Sequence, residues 1–120
     1  MPHIVLEKAD SVKKCFDAIE PIMEKISNGI LKITDKYINA QETSALLESI
    51  AIEGGKNQTF FIQLSSKGDA VTVRLLPVTD PEKTNGVKTL MGLVANKIKL
   101  SNSNISYGKT NLQDYIVTEI

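Results

Sequence analysis

Two short runs of strict alternation, each bounded by glycine-bearing turns, constrain this chain more than any other feature. Thr59 to Leu64 sets Phe60, Ile62 and Leu64 on one side. Val71 to Leu75 sets Val71, Val73 and Leu75 on one side, with Thr72, Arg74 and Leu76 opposite. A period of two is the signature of a strand with one face turned to a core. Lys67-Gly68-Asp69 separates the two runs, and Gly54-Gly55-Lys56-Asn57 precedes the first. Both are turn chemistry. Ahead of them Leu46, Ile50 and Ile52 alternate more loosely. The pattern predicts three consecutive antiparallel strands.

Helical periodicity lies on either side. Val12, Cys15, Phe16, Ile19, Ile22, Met23 and Ile26 recur at steps of three and four. They predict a helix over about 11–27, capped by Asp10 or Ser11 and kinked at Pro21. Asn28-Gly29 is its expected stop. Asp80-Pro81-Glu82 predicts a second helix over 81–98 with the stripe Val87, Leu90, Met91, Val94 and Ile98. His3 to Glu7 reads as a first strand and Gln113 to Thr118 as a last one. Residues 30–43 are the least readable. The whole is expected to be α+β: two β-α units with an intervening β-hairpin, forming a mixed sheet with both helices on one face.

At 120 residues, 1–120 is expected to form a single domain. Lys plus Arg number 14 and Asp plus Glu number 14, so net charge is zero. That argues against a nucleic-acid partner and favours association over dispersal. No apolar run approaches the ~20 residues of a membrane span. Glu7, Lys8 and Asp10 break any secretory apolar segment, and a cytoplasmic location is the default expectation. Cys15 is the only cysteine and His3 the only histidine. An intrachain disulfide and a multi-cysteine or two-histidine metal site are thereby excluded, and no metal or organic cofactor is implied.

Pro2 is the first candidate for chemistry. Removal of an initiator Met leaves it a secondary amine, able to act as base or nucleophile when its pKa falls toward neutrality. Arg74, the only arginine, is the second. A guanidinium grips a carboxylate with two parallel hydrogen bonds, which lysine cannot do. His3 should point to the opposite side from Pro2, and Cys15 should be a buried, inert thiol. Gly54-Gly55 lacks the spacing of a phosphate loop. Phe60, Phe61 and Tyr107 are too sparse for base stacking. Tyr37 and Tyr115 suit a core or interface as readily as catalysis, and Lys8 offers a second positive charge near the terminus.

The opening Met-Pro-His-Ile-Val-Leu, with Pro2 leading into a strand, resembles the tautomerase superfamily, in particular its 5-carboxymethyl-2-hydroxymuconate isomerase-like branch. The resemblance covers Pro2 to about Ile26 by motif and Val71 to Ile98 by element order. It implies an α+β fold of two β-α units and a trimeric homo-oligomer. It implies Pro2 as acid/base moving a proton α to a carbonyl, with Arg74 holding a small carboxylate-bearing keto or enol substrate. The alternative is a non-enzymatic small-ligand or protein-interaction module with the same layout.

Overall fold

The computed structural model describes residues 2–116. Seven strands form one sheet: β1 His3–Glu7, β2 Ile22–Ile26, β3 Gly29–Ile38, β4 Ser44–Glu53, β5 Lys56–Lys67, β6 Ala70–Leu75 and β7 Ser106–Thr110. Their order is β2-β3-β4-β5-β6-β1-β7, and every neighbouring pair is antiparallel. The sheet curls into a half-barrel. Helices α1, Val12–Ala18, and α2, Asn85–Ser101, pack against it and against each other.

This corrects the expected architecture. The sheet is not mixed, and two β-α units are not its plan. A strand-helix-strand unit with parallel neighbours needs the crossover to return beside the strand it left. After α1 the chain instead crosses to the far edge and enters β2, and the meander β2 to β6 works back until β6 pairs with β1. The register His3 opposite Arg74 and Leu6 opposite Val71 closes that circuit. β6 and β7 do point the same way, but β1 lies between them. The tautomerase resemblance falls with this topology.

The helix expected over 11–27 ends at Ala18. Ser11 caps its start, its hydroxyl accepting from Lys14 N at 3.2 Å. Pro21 removes a donor and drives the preceding residue out of helical geometry. Ile22 to Ile26 then forms a largely exposed edge strand. The helix expected from 81 starts at Asn85, capped by Thr84 rather than Asp80. Gln113–Tyr115 is a 3-10 turn, not the start of a strand, and 117–118 lie outside the described residues. The hairpin at Gly54-Gly55 stands as expected: φ of 57° and 81° at the two glycines gives the primed turn that matches strand twist.

The core lies between the concave face of the sheet and the helices. Leu31, Leu47, Phe60, Ile62, Leu64 and Val73 point inward with no exposed surface. Val87, Leu90, Met91, Val94 and Ile98 of α2 are also fully buried, α2 packing on β1, β3, β4 and β6 while α1 packs on β3, β4 and β5. Gly92 lets α2 pass under the 3-10 turn, because a Cβ there would stand 2.1 Å from the Tyr115 carbonyl oxygen. Two outcomes test this packing in urea melts. Leu90→Ala should cost about 2–5 kcal/mol, the range for truncating a buried leucine. Gly92→Ala should cost about 1–3 kcal/mol by overpacking. Losses under about half a kcal/mol would mean that the stripe of α2 is not the buried face.

Candidate functional site

The two residues marked by the sequence do not share a concavity. Pro2 is buried, and strand alternation sets it on the side of the fully buried Ile4. Arg74 is exposed on the opposite face, cross-strand from His3, with its Nε donating to Gln63 Oε1 at 2.9 Å. Lys8 is exposed in the β1–α1 connection, at a φ of 59°. The sheet itself therefore stands between the amine position and the guanidinium.

Cys15 is buried beneath a 440 Å³ depression lined also by Ala9, Lys14, Asp17 and Ile105. Burial, with the nearby Asp10 charge, pushes its thiol up to about 11 from 9.0. The group stays a neutral thiol at neutral pH, and thiolate is the reactive form. Tyr107 is also raised by burial, and its hydroxyl is buried without a hydrogen-bond partner among the described residues.

A second depression, of 580 Å³, opens where α2 begins. An internal anion, Glu53, lines it and is already bonded within the chain. Thr84 Oγ1 donates to Glu53 Oε1 at 2.5 Å, and Gly86 N donates to Oε2 at 2.9 Å. Thr84 Oγ1 in turn accepts from Val87 N at 3.2 Å. The last residue of β4 thus satisfies two donors at the positive end of the helix. A Cβ at position 86 would sit 2.4 Å from the Glu53 carboxyl carbon, so a larger residue there would push the carboxylate out of this position. The cluster reads as a structural clasp.

The remaining surface is the outer face of the sheet. An antiparallel sheet with one solvated face should alternate apolar inward and polar outward. Here the outward positions are widely apolar. β4 presents Leu46, Ile50 and Ile52, β5 presents Phe61, β3 presents Ile30 and Tyr37, and β1 presents Val5. Leu76 follows β6 opposite Phe61, its N donating to the Phe61 carbonyl at 2.9 Å. Tyr37 is 49% exposed, and Val78 at the rim is 90% exposed. The Tyr37 and Phe61 rings meet edge to face at 6.4 Å. A shallow depression of 310 Å³ lies among Tyr37, Asn39, Ser44, Leu46, Gln63 and Leu76.

Charges stand within this strip as well as beside it: Glu48 lies between Leu46 and Ile50 and opposite Phe61, and Lys32 lies opposite Ile50. Glu48 of β4 pairs with Asp35 of β3, and the Tyr37 hydroxyl lies 3.1 Å from Glu48 Oε1 and 3.3 Å from Asp35 Oδ2. The hydrogen bond to Glu48, then the Asp35 charge, raise the Tyr37 phenol above its usual range. Arg74 stands on the other side of β5. Ion pairs among the described residues join Lys13–Asp17, Lys14–Asp10, Lys56–Glu82 and Lys83–Asp80, none of which involves Asp35, Glu48 or Arg74. Sequence patterning points to Pro2 and Arg74, weighs Phe61 only for base stacking, places Leu46 only as a strand position and gives Asp35 and Glu48 no role. The available signal was apolar character on both faces of strands that a solvated outer face would make polar.

Comparison with protein-family models, with curated proteins and with solved structures finds no match to this chain. Among the described residues no helix is long and apolar enough to cross a membrane.

Cys15 contributes to the alkaline pH dependence of stability alongside Tyr107, Tyr37, Lys13 and Lys14, which are also raised in the folded chain. A thiol whose pKa is raised in the folded state holds its proton more tightly there than in the unfolded chain. Its stabilising contribution is complete below about pH 9 and is lost as pH rises toward 11. Urea midpoints measured from pH 8 to 11 should therefore fall above pH 9 in the natural chain and fall less in Cys15→Ala. In native buffer at pH 8, thiol reagents should react far more slowly than in urea. Equal rates would show Cys15 accessible.

Proposed function

We propose that this chain is a non-enzymatic protein-interaction module whose working surface is the outer face of its sheet. The observation that carries the reading is the set of half-buried apolar residues Leu46, Ile50, Phe61 and Leu76 on the outer face, with Glu48, Thr59 and Gln63 set among them and exposed Tyr37 and Val78 at the margins. Apolar residues gathered on an outer face among polar groups mark a docking face. Aromatic residues are enriched at such faces because they bury large area with few rotors to freeze. The small-ligand reading has less support. The concave side, where a ligand would be enclosed, is filled by Phe60, Leu47, Leu90 and Met91. The depressions that remain are open to solvent.

Site-specific photocrosslinking in the producing cell tests this face. A benzophenone side chain at position 46 or 76 should give a defined crosslinked product. The same group at Lys97 of α2 or Lys14 of α1, both exposed on the helical side, should give little. Phe61→Asp should remove the product at position 46 while circular dichroism remains that of the folded chain. Equal yields at all four positions, or a product concentrated at Lys97, would overturn the assignment.

A further inference from the structure

Resting on the reading of the outer face as a docking surface, we propose that its occupant is a second copy of this chain, packed sheet to sheet about a two-fold axis running along β5. The argument is charge complementarity. Across the outer face the order is Asp35 on β3, Glu48 on β4, apolar Phe61 on β5, then Arg74 on β6. Lys32 on β3 and Glu7 on β1 also face outward, so the complementarity rests on one pair, Glu48 and Arg74, neither of which has an ion-pair partner among the described residues. Arg74 is held by a neutral Gln63 and Glu48 by a tyrosine hydroxyl.

Rotation about an axis parallel to the strands exchanges the two flanks. β6 of one copy then lies over β4 of the other. Arg74 and Glu48 differ in level by one outward step of two residues, since Gln63 pairs with Arg74 and Phe61 with Glu48. That step is roughly 7 Å along a strand, within the span of an arginine side chain. The same rotation makes the contact twice, as an isologous interface requires. An axis perpendicular to the strands would leave acid facing acid. Lys32, beside Ile50 and Met23, falls one row beyond the acidic pair, and His3 falls beside Arg74 on the neighbouring strand. Both remain at the margin of the contact. A net charge of zero removes overall repulsion between copies.

The size of the face is consistent with a weak dimer. Two convex sheets touch over their central strands. The whole footprint of β3 to β6, with strands spaced ~4.8 Å, is roughly 600 Å² per partner, a ceiling that two convex faces do not reach. A total under roughly 1,200 Å² falls at or below the low end of the specific range, where association is weak. Aligned packing near −30° accommodates the twist of both sheets.

Sedimentation equilibrium of the full chain from about 1 to 300 µM in low salt reads the outcome. The mass should rise from 13.2 kDa toward twice that value with concentration. Arg74→Glu and Glu48→Arg should each weaken association by roughly tenfold or more, since each sets like charges together at both symmetric contacts. Arg74→Gln, a milder change that leaves the strand intact, should weaken it less. The double variant Arg74→Glu with Glu48→Arg should return to within a few-fold of the natural chain. A monomer throughout the range overturns the second copy, as does a dimer indifferent to both single variants. The crosslinked mass separates the two levels of the claim. A product of twice the chain mass at position 46 supports the dimer. A face-confined product of another mass overturns the dimer and keeps the docking face. The absence of any face-confined product overturns both.

Discussion

Everything in this molecule depends on α2 lying in the curl of the sheet. Its stripe of Val87, Leu90, Met91, Val94 and Ile98 is buried against residues drawn from β1, β3, β4 and β6. Burying one such side chain is worth about 1.5–3 kcal/mol relative to leaving it in water. Five of them on one helix make the helix and the curvature of the sheet interdependent. Glu53 adds direction to this non-directional attraction. Its carboxylate receives Thr84 Oγ1 and Gly86 N, so the end of β4 fixes where α2 begins. Gly92 fixes how closely the far side of α2 meets the 3-10 turn at Gln113–Tyr115.

Once the concave face is filled in this way, the convex face is left to solvent or to a partner. Its composition is the informative part. Isolated exposed apolar residues need no explanation. A strip that crosses β3, β4, β5 and the end of β6 is different, because sequence alternation would have made polar residues available at each of those positions. Phe61 and Leu76 sit at outward positions whose inward neighbours Phe60, Ile62 and Leu75 already supply the core. Their apolar character therefore serves something other than folding of this chain alone. Glu48 on β4 and Arg74 on β6, set to either side of Phe61, give that surface charged anchors which an undirected apolar patch would lack.

Several elements were legible because local physics settles them. The strands His3–Glu7, Lys56–Lys67 and Ala70–Leu75, the primed turn at Gly54-Gly55 and the stripe of α2 follow from alternation, glycine geometry and periodicity. The region 22–26 failed for a definite reason. Positions four apart share a face in a helix and also in a strand, so Ile22 and Ile26 fit both. Pro21 was the decisive local signal, marking a break rather than a kink. Thr84 was overlooked as a cap because Asp80-Pro81 is the stronger motif in isolation. The carboxylate that favours Thr84 comes from Glu53, 31 residues away in sequence.

The sequence by itself determined which segments are extended, where the hairpins turn and which face of α2 is apolar, since these depend on neighbours within a few residues. It also determined the scarcity of reactive groups: one cysteine, one histidine and one arginine. Only the tertiary structure decided that β1 pairs with β6 and β7, that the sheet is wholly antiparallel, and that Pro2 and Arg74 stand on opposite sides of it. Strand pairing is set by long-range registry, and two β-α patterns can be joined by a meander as well as by a parallel crossover. The pattern of apolar positions is compatible with both. The choice rests on how the whole curl closes over α2, a condition that no local window contains.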